Sequence, residues 1–415
     1  MRRKYTLFLL LSVIFLDYMG LGLVFPLFAA LFFDPQMTFL AAETSGLVRG
    51  MMMGGVIALT PLFLFIGSPI FGALSDQRGR RALVLTGLLI AAGSYLIGMI
   101  GMKMGSLWLL VLYRVLFGIG MSTTPVVQAA IVDISTPETK AKYLGLYSMA
   151  LALGFASGPV IGGHLSNPEL YHRFNFGTPF FVAAILTLAS LLLFYFGYKE
   201  SGARKETKKI NPLHGLVQVR KAFTHPHFRV VFLSFFLFLL GWDYFIQFVA
   251  VILTEQFSFS TSQSGTFFAF NSFTYACATG IFIRPFIKRF STTNLLTFSM
   301  LFAPLFLPLF LTIKNPVYLL LFLPVMNFIV ALYFPVAMTH ISNSRSEEHQ
   351  GEILGVYQSV VALGFLVGPL MGGFIGILPS MSVYLGSSLM GLGGLIFTGH
   401  RIWKRNVANR PDEAI

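Results

Sequence analysis

Charge is what this sequence has least of. Only 11% of its 415 residues are Asp, Glu, Lys or Arg, less than half the ~25% usual in soluble domains. With 55% hydrophobic residues and a mean hydropathy of +0.76, that shortage excludes a water-soluble globule and makes lipid the solvent. Cysteine is nearly missing too. Cys277 stands alone, so no intrachain disulfide can form, and in an apolar stretch it reads as a small hydrophobic filler. No glycine-rich loop ending in Gly-Lys-Ser/Thr is present to cradle nucleotide phosphates, so ATP does not drive the chain directly. The eight His are scattered, with His164, His340 and His400 near the ends of apolar segments, and no metal-ligand cluster is recognisable. These absences lead to the expectation of a protein that is not an enzyme and uses no catalytic residues, metal or cofactor.

What is there is length of apolar chain. Twelve segments, at about 5–33, 50–73, 82–101, 107–130, 143–165, 178–198, 228–254, 262–283, 292–313, 316–339, 352–377 and 380–401, each approach or exceed the ~20 residues a helix needs to cross the hydrocarbon. The period-2 alternation of a membrane barrel is absent, so helices satisfy the backbone. The opening MRRKYTLFLLLSVIFL resembles a signal peptide, but its apolar run continues to about Phe33 with no small-residue cleavage site, and we read it as the first span.

Twelve spans put both termini on one side, and the basic residues choose it. With the N-terminus inside, 24 of the 29 Lys and Arg fall in cytoplasmic segments, four (Arg49, Lys103, Arg173, Lys314) in outer loops, and Arg114 within a span. That asymmetry is the positive-inside pattern, so both ends are expected in the cytoplasm. It also explains the net charge of +13 without nucleic acid: the basic residues are dispersed, apart from a solvated run at Arg204, Lys205, Lys208 and Lys209, and no binding module accompanies them.

The chain repeats itself. LGLYSMALALGFASGPVIGGHL (144–165) and LGVYQSVVALGFLVGPLMGGFI (354–375) are identical at 11 of 22 positions without a gap, and a weaker echo at offset 208 pairs Gly72, Arg80 and Arg81 with Gly280, Lys288 and Arg289. Six spans separate the copies, so the repeats run parallel. This predicts a six-helix half over 1–198, a basic cytoplasmic linker over 199–227 and a second six-helix half over 228–415. Gly154, Gly158 and Gly162 recur every four residues and line one helix face without side chains, a surface that lets a neighbouring backbone approach closely. Pro159 can kink the helix there. Gly163 completes the cluster, and Gly364, Gly368, Pro369, Gly372 and Gly373 repeat it. Tight packing alone is one reading; a bending seam that seals a cavity in one state and slides in another is the sharper one.

These motifs resemble those of the major facilitator transporters. GALSDQRGRR (72–81) carries Gly72, Asp76, Gly79, Arg80 and Arg81 at the spacing of the family's signature between spans two and three. LYRVLFGIG, with Arg114, Gly118 and Gly120, is similar to its fourth-span motif, and ALGFASGPVIGG to the fifth-span motif of its exporters. FLDYMGLGLVFPL resembles the first span of drug:proton antiporters related to tetracycline efflux pumps. The resemblance covers the whole chain and implies an all-α membrane fold with two parallel-repeat halves around a central cavity. Two departures stand out: Gln77 occupies a usually basic position, and the second copy has Arg284 for the acid and Ile287 for the central glycine. We read 72–81 as a short charged cytoplasmic loop. Arg78 and Arg81 suit solvent, Asp76 suits a helix N-terminus, and Arg80 can pair with Asp133, the acid ending span four. The resemblance implies that such an Asp and Arg latch the inner face.

Only three ionisable residues lie deep in spans: Asp17, Arg114 and Asp243. Such residues are costly in hydrocarbon and generally face a bundle interior or a water-filled cavity. A carboxyl group there is a plausible proton carrier, whereas arginine keeps its charge and can only bias a neighbour. The alternative is a structural ion pair or hydrogen-bond network. Asp17-Tyr18 and Asp243-Tyr244 sit at similar depths in spans one and seven and look like one site repeated around the cavity. The resemblance adds that a first-span acid and the fourth-span arginine take part in coupling. Tyr18, Tyr244, Gln247, Asn271, Asn327 and Gln358 are candidates to line the cavity, although each could equally bond helix to helix. Some of the 45 Phe beside a carboxylate would suit a hydrophobic cation.

The expected function is secondary active transport: a proton-coupled antiporter exporting small lipophilic compounds, cationic ones included, by alternating access. The expected partners are a small-molecule substrate, protons and the lipid bilayer, with no nucleic acid. We expect a monomer in a bacterial cytoplasmic membrane, since the loops are short and no targeting extension is evident. A proton-linked importer of a metabolite and a dedicated metabolite or siderophore exporter are the rival transporters. A sensor or scaffold would need a larger extramembrane domain than the short linker and tail provide.

Overall fold

A computed structural model describes residues 2–34, 40–200, 214–224, 228–342 and 350–408, and every element among them is helical. Twelve helices are long and apolar enough to cross a membrane. Spans one to six are Arg3–Phe33, Gly46–Arg78, Arg80–Met104, Leu107–Asp133, Glu138–Leu165 and Thr178–Gly197. Spans seven to twelve are Arg229–Phe257, Thr261–Arg289, Thr292–Thr312, Pro316–Ser342, Ile353–Ile377 and Met381–Asn406. An even number of crossings puts residues 2 and 408 on one face, here the termini face. Between the halves, the helix His214–Thr224 is the described part of the expected linker; the run Arg204, Lys205, Lys208 and Lys209 lies outside the described residues.

The twelve segments read from hydropathy are the twelve observed, with one correction. Residues 72–78 are not a loop. Ser45 caps span two by accepting from the Val48 amide, and the helix runs unbroken to Arg78. Only Gly79 separates it from span three, and its φ of +96° is a conformation that side-chain-bearing residues avoid. Hydropathy missed this because the last two turns carry charges that end an apolar window but do not end a helix.

Proline places the interruptions. Spans four and ten each break in two, at Ser122–Thr123 and Leu332–Tyr333, 210 residues apart. Pro125 and Pro335 follow at once, and their rings clash with the carbonyls four residues back, Met121 and Ala331. Span eleven breaks as Gln350–Leu370 and Gly373–Ile377 after Pro369, whereas Pro159 stays inside a continuous helix, Pro137–Leu165.

The glycine clusters are seams. A Cβ at Gly154, Gly158 or Gly162 would strike the carbonyls of Phe15, Met19 and Leu23, so span five lies backbone to backbone along span one. Gly163 points the other way, onto Thr261 and Gly265 of span eight. In the second copy Gly364 and Gly368 face span seven, and Gly372 and Gly373 face span two, where Gly46, Gly50 and Gly54 meet Gly376, Gly372 and Pro369. Span eleven breaks where it leaves span seven for span two. Each half therefore uses one cluster twice, within itself and against the other half.

These contacts between halves lie toward the face opposite the termini. The apolar core follows them. One continuous cluster joins the opposite-face part of the first half, such as Phe28 and Met53, to the whole second half, while the first half's core near the termini face, including Leu10, Val84, Ile131 and Phe194, is separate. Near the termini face, a Cβ at Gly72, Gly145, Gly280 or Gly355 would meet nothing within 4 Å. The halves are thus fused at one face and parted at the other. At the fused face a cavity of about 170 Å³ remains among Asp34, Glu169, Phe259 and Thr261.

Gly158→Leu is expected to lower stability by about 1–3 kcal/mol through overpacking, its Cβ being 2.7 Å from the Leu23 amide nitrogen. Gly145→Ala should stay within about 0.5 kcal/mol of the parent. Thermal unfolding of the two purified variants in detergent checks the contrast, and equal melting temperatures would contradict the seam.

Candidate coupling and gating sites

Asp17 lies fourteen residues into span one, 4% exposed, and its Oδ2 has no hydrogen-bond partner. One turn on, Gly20 leaves the space taken by the Tyr95 hydroxyl of span three. Tyr95 packs on Tyr113 and Phe117 of span four, with ring centroids 6.1 and 5.2 Å away, and Phe180 of span six meets Tyr113 edge-on at 5.1 Å. Next along span four, Arg114 is 1% exposed. Its Nη2 donates to the Ile57 carbonyl at 2.9 Å and its Nε to the Val56 carbonyl at 3.3 Å, while the guanidinium lies 6.0 Å from the Phe28 and Tyr113 rings. Among the described residues no carboxylate is bonded to it. Peptide carbonyls of span two, also tied by Thr60 Oγ1 to the Arg114 carbonyl at 2.9 Å, hold the charge in place of an ion pair, a recognised way to keep a cation in hydrocarbon.

Asp243 is also fourteen residues into its span and buried, but its neighbours differ. The Gln247 side-chain amide donates to its Oδ2, and the same oxygen fills the space left by Gly368 of span eleven. Tyr244 is fully buried against Phe248 at 5.3 Å. The two acids match in depth but not in direction. On span one Phe15, Met19 and Leu23 face the glycine seam, and Asp17, two residues off that row, turns through about 200° toward spans three and four. On span seven Asp243 is itself in the row that faces the seam.

The remaining polar candidates divide. Asn327 of span ten donates to the Asn271 carbonyl at 2.9 Å, to Asn271 Oδ1 at 3.1 Å and to Thr274 Oγ1 at 2.7 Å, all on span eight. These bonds tie span ten to span eight. Gln358 is exposed and Tyr18 half-buried.

The charged motif forms a network at the termini face. Arg80 pairs with Asp76 at 2.8 Å and with Asp133 at 3.3 Å, and also donates to Ser75 Oγ. The Arg80–Asp133 pair expected from the sequence is present. Glu200, after span six, was not anticipated: its carboxylate accepts from the backbone amides of Arg80 and Arg81 at 3.1 and 3.0 Å, capping span three just where Gly79 gives room. Arg81 donates to the Tyr195 carbonyl at 2.6 Å and lies over that ring at 5.1 Å, so it is anchored rather than solvated. All these partners belong to the first half, except Glu200, which follows it at the start of the linker. A Cβ at Gly72 would enter open space, so this arrangement does not itself require glycine there. Tyr95, Tyr113, Thr274 and Glu200 escaped a reading that sought ionisable and amide groups within spans; a tyrosine amid apolar residues was the available signal for the first two.

Two halves of six helices, fused at one face and parted at the other, with buried acids in the first helix of each, define a polytopic membrane transporter. The chain belongs to the Major Facilitator Superfamily, whose model matches residues 7–369 and 231–413. It is 26% identical to Multidrug resistance protein 1 of Bacillus subtilis (strain 168) over 375 residues, 90% of either chain. It is 28% identical over 381 residues, 89% of either chain, to the class C Tetracycline resistance protein of Escherichia coli. Quinolone resistance protein NorA of Staphylococcus aureus (strain COL) is 26% identical over 374 residues, 88% of this chain and 89% of that one. Among solved structures, the POT family transporter PepTSo superposes with a TM-score of 0.71 at 13% identity over 98% of both chains, and a D-xylose-proton symporter with 0.70 at 16% over 95% of this chain and 96% of that one. These last two speak for the fold alone.

Glu200→Ala is expected to lower stability by about 1 kcal/mol, the usual cost of losing a helix N-cap. Asn327→Ala should cost about as much by freeing an interhelical bond, while transport survives. A thermal melt run beside a transport assay checks both; lost transport in Asn327→Ala at an unchanged melting temperature would restore that residue to the substrate cavity.

Proposed function

We propose that the chain exports small lipophilic compounds, cations among them, in exchange for protons, as a monomer in a bacterial cytoplasmic membrane with the termini face inside. The names of relatives aligned over nearly the whole chain, for resistance to multiple drugs, tetracycline and quinolone, support export of such compounds. The observation that carries the coupling is Asp17: a carboxyl group buried in a spanning helix with an oxygen that nothing satisfies. Proton exchange gives it a purpose, since a neutral acid is tolerated in that core and an anion there must be met by a cation or donor. Asp243, with Gln247 and Tyr244 along the span-eleven seam, acts as the second acid. Arg114 supplies fixed positive charge.

On this reading the structure is inward-open. The seams of spans two and eleven and of five and eight close the outer face. The Asp76–Arg80–Asp133 network stands ready at the inner face to receive the second half when the cavity opens outward. The two halves, 1–198 and 228–415, rock about the fused face with 199–227 as tether.

The test is proton movement in proteoliposomes under an imposed pH gradient, with lipophilic cations, tetracycline-like compounds and small metabolites as the panel. Proton release from the lumen upon substrate uptake is expected, and Asp17→Asn should abolish it. Proton and substrate moving together would make the chain an importer, and full gradient-driven transport in Asp17→Asn would leave Asp17 a structural role. Asp76→Asn is expected to cut transport at least tenfold at normal membrane abundance; unchanged transport would remove the gate.

A further inference from the structure

Of the six buried polar atoms in the first half that lack a hydrogen-bond partner among the described residues, four are Asp17 Oδ2, Tyr95 Oη, Tyr113 Oη and Arg114 Nη1. They come from three adjacent helices, and all four residues are 4% exposed or less. So many unmet groups so close together is unusual, because buried polar atoms are nearly always paired. Their chemistry is ordered. Arg114 Nη1 can only donate, each phenol can accept one bond and donate another, and an ionised carboxylate can only accept.

The geometry follows that order. Tyr113 is the sequence neighbour of Arg114, and the guanidinium lies 6.0 Å from its ring. Tyr95 lies beside Tyr113, ring centroids 6.1 Å apart. The Tyr95 hydroxyl reaches Gly20, one turn from Asp17 on the same face of span one. Tyr95 is within electrostatic reach of both charges. Tyr18 on its own helix and Tyr147 of span five are the other titratable groups within electrostatic reach of Asp17. No acid among the described residues is bonded to Arg114.

We propose that Tyr95 and Tyr113 are positioning residues that close a one-way chain of hydrogen bonds, from Arg114 through Tyr113 and Tyr95 to Asp17, when Asp17 is ionised. The direction makes the chain selective. An ionised Asp17 ends it with an acceptor. A protonated carboxyl whose hydroxyl faces the phenol brings a second donor, and the chain opens. The phenols thus lend the distant guanidinium charge to Asp17 without an ion pair and set the pH at which Asp17 takes its proton. Because Asp17 rides on span one and Arg114 is anchored to span two, a slide of span one along the span-five seam makes or breaks the chain. This device rests on Asp17 as the coupling acid.

The test needs no substrate. Difference infrared spectra of the full chain in lipid, titrated with pH, report protonated carboxyl bands, and the band lost in Asp17→Asn belongs to Asp17. Tyr95→Phe keeps the ring and deletes the hydroxyl; its Asp17 band, and that of the Tyr95→Phe/Tyr113→Phe double variant, should titrate about one pH unit higher, the size expected for losing a hydrogen bond to a charged group. Tyr333→Phe, which removes a buried hydroxyl bonded to the Phe235 carbonyl in the other half, should leave the midpoint alone and shows that mere loss of a buried phenol is not the cause. An unmoved Asp17 midpoint in the double variant overturns the chain while leaving the coupling reading intact. No band lost in Asp17→Asn at any pH overturns the coupling reading, and the chain with it.

Discussion

Backbone touching backbone is the contact on which the rest of this structure depends. Helices in lipid gain little from hiding apolar side chains from one another, since the acyl chains are as apolar as leucine, and association falls to close packing and a few polar bonds. Glycine supplies the closest packing available. Here it serves spans one with five, five with eight and two with eleven, of which the last two join the halves, and also pairs within a half such as three with four and seven with twelve. Helices in such seams meet as smooth surfaces, without interdigitated side chains that must disengage before they slide. Firm contact and mobility come from the same absence of a Cβ.

That economy of side chains makes the buried polar groups conspicuous. Each half carries an acid at the same depth, and each solves the problem differently. Asp243 has an amide from its own helix and a place prepared by Gly368. Asp17 has aromatic neighbours and an unmet oxygen. Arg114 is fastened to main-chain carbonyls of span two, so its charge is fixed in position yet free of any carboxylate. A repeated fold has thus been given two unlike interiors: an amide meets the acid of the second half, and aromatic rings surround that of the first.

Much of this was legible in the sequence. Hydropathy marks all twelve spans, because crossing a bilayer demands a length of apolar chain that nothing else in the molecule needs. The repeat marks the seams, since a missing side chain is visible in one dimension. Arg80 with Asp133 was legible because opposite charges at the ends of neighbouring spans have few other partners. Direction was not. Whether a residue at a given depth faces the seam or turns away depends on one or two positions of register, which is why Asp17 and Asp243 read as copies and stand in different surroundings. Glu200 was hidden for a related reason: a carboxylate that caps backbone amides leaves no mark on the residues it serves. The turns at 72–78 look like a loop in the sequence because charge at the end of an apolar window mimics irregular chain.

Gly79 has a mechanical consequence. With one residue between Arg78 and Arg80, spans two and three are joined by only two Cα–Cα steps of about 3.8 Å, and the carboxylate of Glu200 grips the second helix at its first turn. No slack exists there. A tilt of span two must carry span three with it, so these two helices move as a unit, and the play that a transport cycle needs is left to the longer connections and to the glycine tracks themselves.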